Sequence, residues 1–175
     1  MFGVINNDMQ KQISPTIKGL ITAGLMLATA LGIYLAKLSP DSPLQYIVYI
    51  LYAVGITWTL VSYRQSETYT GKFGDLFLQG FKCFIVVTLV MVIFTAVFSK
   101  MHPEFAEEAS QHYKEQLIKE KDKSNKTPAE IDEEVAKVKN YYTTGLVYAS
   151  IFGYLIIGTV VTAAVSGLIL IRREQ

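Results

Sequence analysis

Residues 145–171 read GLVYASIFGYLIIGTVVTAAVSGLILI and contain no Asp, Glu, Lys, Arg or His. A helix rises about 1.5 Å per residue, so about 20 such residues cross the hydrocarbon core of a bilayer. Three more stretches, 19–36, 44–63 and 83–99, are equally free of ionisable side chains. The reading is an all-α integral membrane protein with four transmembrane helices, at about 17–37, 44–63, 75–99 and 143–171. Four spans and one extension use up the 175 residues, so 1–175 forms a single membrane domain.

Charge is segregated from this apolar material. Hydrophobic residues make up 51% of the chain and the formal net charge is +1, yet most of the charged residues fall between 100 and 139. Residues 100–142 therefore read as an extramembrane insert between the third and fourth spans. Its first half sets Phe105, Ala109, Tyr113 and Leu117 along one helical face. Its second half opens with Thr127-Pro128-Ala129-Glu130, a capping box with proline at the first helical position. From there Ile131, Val135, Val138 and Tyr142 form a second apolar stripe that runs into the last span. The two halves are expected to pair as a charged helical hairpin turning around 122–126. So thin a hairpin buries little by itself, which makes Phe105, Tyr113, Leu117, Ile131, Val135 and Val138 candidate partner-facing residues; the bland reading is that the halves only satisfy each other. A helix over 128–171 would be about 65 Å long, roughly twice the bilayer core.

The N-terminal 30 residues also fit a signal peptide, since Lys11 and Lys18 precede an apolar run and Ala28-Thr29-Ala30 has a small-x-small pattern. The run continues through Ala36, long enough to span, so an uncleaved first helix is expected. With four spans, Lys11, Lys18, Arg64, Lys72, Lys82, Arg172 and Arg173 share one side. The insert on the other side has eight lysines against ten acidic residues. By the positive-inside rule both termini are cytoplasmic and the insert periplasmic, in a bacterial inner (plasma) membrane.

The third helix is expected to begin before its uncharged run. Phe73, Phe77, Phe81 and Phe84 recur at helical spacing while Lys72, Asp75, Gln79 and Lys82 are polar, as in a segment at the membrane surface. Phe73, Phe77 and Phe81 with Lys72 and Lys82 are thus interfacial anchors, the lysines reaching for phosphates. Pairing with Lys72 or Lys82 is the plain explanation of Asp75. Small residues repeat at Gly24, Ala28, Gly32 and Ala36 in the first helix, and a second stripe includes Gly158, Thr162 and Ser166 in the fourth. Both are candidate helix-packing faces, within the chain or against another protein, because small side chains let backbones approach in lipid.

No constellation in the sequence points to catalysis, a cofactor or a metal. All five prolines lie outside the apolar cores, which hold no carboxylate or imidazole, unlike the midplane sites of ion-coupled carriers. Glu108 and His112 are four apart on a helix, but with His102 and Glu104 they lack a convincing third ligand. The single cysteine, Cys83, cannot form an internal disulfide. The sequon Asn125-Lys126-Thr127 reads as loop and helix cap. Basic residues are divided between two sides with no patch of stacking aromatics, so nucleic acid is not an expected partner.

The segment order, the tight loop at 37–43, the Phe73-Gly74-Asp75-Leu76-Phe77-Leu78-Gln79-Gly80-Phe81 approach to the third helix, the charged insert and the Arg172-Arg173 tail together resemble a known family. It is the four-helix membrane proteins of Bacteroidota catalogued as domain of unknown function 4199. The resemblance implies a cell-envelope protein and carries no catalytic residue to transfer. Three functions stay in view: a non-catalytic assembly or accessory subunit that joins a membrane-protein partner or itself in the lipid bilayer; a small oligomeric permease or channel; and a lipid-acting enzyme, for which Asp75 or the His102/His112 region would have to serve. They rank in that order.

Overall fold

A computed structural model describes residues 13–37, 43–119 and 127–171. The helices are α1 (Pro15–Leu35), α2 (Tyr46–Arg64), α3 (Phe73–Met101), α4 (Glu104–Lys119) and α5 (Pro128–Ile171), with a 3-10 turn at Pro43–Gln45 before α2. The expected turn at 122–126, most of the 37–43 loop, Lys11 and the Arg172-Arg173 pair lie outside the described residues.

Local chemistry accounts for the helix ends. Ser14 caps α1, its side-chain oxygen accepting from the Ile17 N–H at 3.3 Å, with Pro15 at the first helical position. Past the end of α1, Lys37 takes a positive φ of 51°. Pro103 lacks an N–H and disfavours helical backbone at His102, so α3 stops at Met101 and the chain restarts as α4. At the start of α5, the Thr127 N–H donates to Glu130 at 2.7 Å and the Glu130 N–H donates back to the Thr127 hydroxyl at 3.4 Å. Both halves of the capping box are therefore made.

α1, α3, α5 and the α2 segment from Pro43 are long and apolar enough to cross a bilayer, and between 22% and 33% of each apolar window is buried within the chain. Most of their apolar surface therefore faces outward, as lipid requires. The chain is an all-α, multi-pass membrane protein.

Two compact units divide the chain. The first holds residues 1–87 and 157–175. Its core is built from Met26 of α1, Tyr52, Ile56 and Leu60 of α2, and Leu76, Cys83, Phe84 and Val87 of α3, with Thr162 and Ser166 of α5 among them. Glycines set the contacts. A Cβ on Gly19 would lie 2.8 Å from the Cys83 carbonyl oxygen, and one on Gly158 would lie 2.7 Å from Phe84 Cγ and close upon the Tyr52 hydroxyl. Gly55 gives the same close approach to Thr22, and Gly80 to Thr162. At Gly19 one helix backbone touches another, and at Gly55, Gly80 and Gly158 a backbone receives a neighbour's side chain, so dispersion rather than water exclusion holds the helices together.

The second unit holds 88–156. Phe98 at the end of α3 packs with Phe94 at 5.2 Å, with His102 at 4.5 Å and with Phe105 at 6.1 Å between ring centroids, covering the α3–α4 joint. α4 and the start of α5 lie side by side, with Leu117 and Ile131 buried.

Candidate functional site

Two regions carry polar chemistry. In the second unit, Lys114 meets Asp132 at 2.7 Å, Lys139 pairs with Glu107, and the Tyr113 hydroxyl donates to Glu134 at 3.4 Å. Moving up α4 moves down α5, so the two are antiparallel. The carboxyl of Glu107 is held below its ordinary value chiefly by the hydrogen bond from Lys139, then by that from Gln111. Glu104 is also lowered, first by its own backbone N–H at the α4 start and then by His102, whose ring nitrogen lies 2.7 Å away. Among the described residues no three His, Cys, Asp or Glu side chains group as metal ligands.

The residues expected to face a partner are taken up unequally. Leu117 and Ile131 are buried within the unit, whereas Phe105, Tyr113, Val135 and Val138 are half-buried. Ile118 and Tyr141, which apolar periodicity does not single out, stand 52% and 68% exposed.

In the first unit the polar region lies at one end of the helices. Lys18, one turn inside α1, is 5% exposed and its ammonium sits 5.3 Å from the centroid of the Trp58 ring. Ser14, Lys18, Thr59, Tyr63, Thr68 and Gln79 surround a cavity of about 170 Å³. The Thr59 hydroxyl donates to Gly55 O at 3.0 Å and the Tyr63 hydroxyl to Thr68 O at 3.2 Å. Counting Lys18 only among the basic residues of the termini's side missed its burial. The signal was its spacing: Lys18 lies four residues before Thr22 and eight before Met26, on the face that packs inward.

The interfacial residues sit at the start of α3 and beside it. Phe73 and Phe81 are exposed, Phe77 is half-buried and stacks on Phe73 at 5.9 Å, and Lys72 and Lys82 are exposed. Asp75 accepts from the Thr70 hydroxyl, which replaces the expected pairing with Lys72 or Lys82. The reason is local: the Tyr69–Lys72 loop folds Thr70 over the first turn of α3, within reach of a short side chain.

The two small-residue stripes fare differently. Gly158, Thr162 and Ser166 are buried in the first unit, against Tyr52, Phe84 and Gly80. Gly24, Ala28, Gly32 and Ala36 are all exposed, and a Cβ on Gly24 or Gly32 would meet nothing within 4 Å. Within the chain α1 packs through Gly19, Thr22, Ala23 and Met26 instead. A four-residue repeat of small side chains marks a smooth face, but the larger inward face of α1 is the one that fits Cys83, Val86 and Gly55.

Comparison with the curated proteins, and with the solved structures, gives no match. A family model does match, over residues 18–172, from the buried lysine of α1 to the end of α5. With four spanning helices and the charged α4 between the last two, this chain belongs to the family described as protein of unknown function (DUF4199).

Proposed function

We propose that the protein is a non-catalytic membrane subunit that assembles with a membrane-protein partner or with its own copies through the charged α4–α5 hairpin. The observation that carries this reading is the set of antiparallel contacts Glu107–Lys139, Lys114–Asp132 and Tyr113–Glu134. A mere connector between two spans needs no such framework, whereas a docking element needs a fixed surface. Half-buried Phe105, Tyr113, Val135 and Val138 flank the seam, and Ile118 and Tyr141 stand outside it. The exposed Gly24–Gly32 face of α1 offers a second contact, suited to another helix in the bilayer. On this reading the protein resides in a bacterial inner membrane with both termini cytoplasmic and the hairpin periplasmic, because the basic residues next to the spans concentrate on the termini's side.

The test is purification at native abundance after gentle detergent extraction, for the full chain and for a variant lacking 103–139, with mass spectrometry of what co-purifies. A stoichiometric companion or self-association that the deletion removes is the expected result. A lone full-length species would sink the reading.

A second reading, a small oligomeric permease, draws on Thr162 and Ser166. Among the described residues their buried hydroxyls have no hydrogen-bond partner, and they lie four residues apart on one face of α5. Solute flux in liposomes of the purified chain, lost in Thr162→Val, would favour it over the assembly reading.

A further inference from the structure

We propose that the cavity around Lys18 is a binding site for a phosphate monoanion or dianion, as presented by an anionic lipid headgroup or by free phosphate. Lys18 is 5% exposed, and among the described residues no carboxylate lies within ion-pair distance of it. The side chain is enclosed by its neighbours and borders the cavity, and an ammonium partly withdrawn from water is favoured by an opposite charge. The Trp58 face stabilises it in part from one side, but a ring is no counter-charge, and the three N–H donors of the ammonium still need acceptors. Asp75, the acidic residue at the start of α3, accepts from the Thr70 hydroxyl, keeps its charge and forms no ion pair with Lys18. The cavity supplies what an oxyanion needs. Lys18 gives charge, Gln79 gives a neutral amide donor, and the α1 N-terminus at Ser14-Pro15 adds the positive end of a 21-residue helix dipole.

Size and depth select the ligand. A volume of about 170 Å³ is several times the share of a water molecule, about 30 Å³, enough for a phosphate group and too small for a lipid. Acyl chains would therefore lie outside. Ile13, which also lines the cavity, and Ile17 beside it are 45% and 49% exposed and provide an apolar surface there. Lys18 lies one turn inside α1, the depth at which a spanning helix meets phosphates. Lys72 and Lys82 differ in kind, being exposed and not among the residues that line this cavity.

Trp58 is the single tryptophan and adjoins the site, so its fluorescence reports occupancy. The full chain in a maltoside detergent, which carries no phosphate, is titrated with short-chain phosphatidylglycerol, with short-chain diacylglycerol and with inorganic phosphate. A saturable change with phosphatidylglycerol, absent with diacylglycerol, identifies a headgroup; the same change with inorganic phosphate identifies the free ion. In either case Lys18→Met should weaken binding on the order of tenfold, the loss of one charged hydrogen-bond donor, while Lys18→Arg retains it and Lys72→Met and Lys82→Met leave it unchanged. Gln79→Leu should weaken it several-fold, which keeps the test informative if Lys18→Met does not fold. No saturable change with either anion overturns the proposal, as does equal binding by Lys18→Met.

Discussion

Gly158 and Gly32 look alike as sequence and differ in what surrounds them. A side chain at Gly158 would enter the space of Phe84, 2.7 Å from its Cγ, and press on Tyr52, which is fully buried. Phe84 is 1% exposed and cannot give way easily. Gly158→Leu is expected to destabilise the chain by about 1–3 kcal/mol through overpacking, read as a lower unfolding midpoint in detergent. At Gly32 nothing lies within 4 Å, so Gly32→Leu should leave that midpoint unchanged and affect only association with another helix. Which glycines are close contacts was only partly legible. Gly158 belongs to a recognisable stripe, whereas Gly19, Gly55 and Gly80 are isolated glycines whose role depends on the neighbouring helix and not on any local repeat. Lys18 shows the same limit: its charge argued for the surface, and only the packed α1 face showed that it is enclosed.

At the scale of elements, the helix ends were the most legible because their chemistry is local. Thr127 and Glu130 exchange hydrogen bonds within four residues, and no tertiary information is needed to anticipate them. Thr127→Ala should cost about 1 kcal/mol, visible as faster amide exchange over the first turns of α5. The α3–α4 break follows as directly from Pro103. The pairing of α4 with α5 depends on register, which apolar periodicity left open, and the ion pairs specify it. Glu107 makes that pairing sensitive to acid. Its carboxyl is held below the ordinary 4.5 because Lys139, and after it Gln111, favour the anion. The folded form thus gains a contribution that is complete above that ordinary value and disappears as pH falls through the lowered one. Proteolysis of the α4–α5 region should accelerate on acidification through this range, and Glu107→Gln should be more susceptible at neutral pH with a flatter pH response.

For the whole molecule, the membrane class follows from the helices themselves, since each apolar helix is long enough to span and buries at most 33% of its apolar window within the chain. Length and the absence of ionisable side chains make that class readable before any packing is known. Which apolar residues of the charged helices stay exposed was less legible, because positions outside the seam follow no period. Ile118 and Tyr141 belong to neither seam stripe, and both are exposed on the charged helices. The assembly reading is tested most directly in native membranes, with a photo-crosslinking amino acid placed singly at Ile118 and Tyr141, and at Ile93 of α3 as a control on an exposed apolar position. Docking through the hairpin predicts a discrete crosslinked species of fixed mass from position 118 or 141 and none from position 93. Identical, diffuse patterns from all three positions would contradict it.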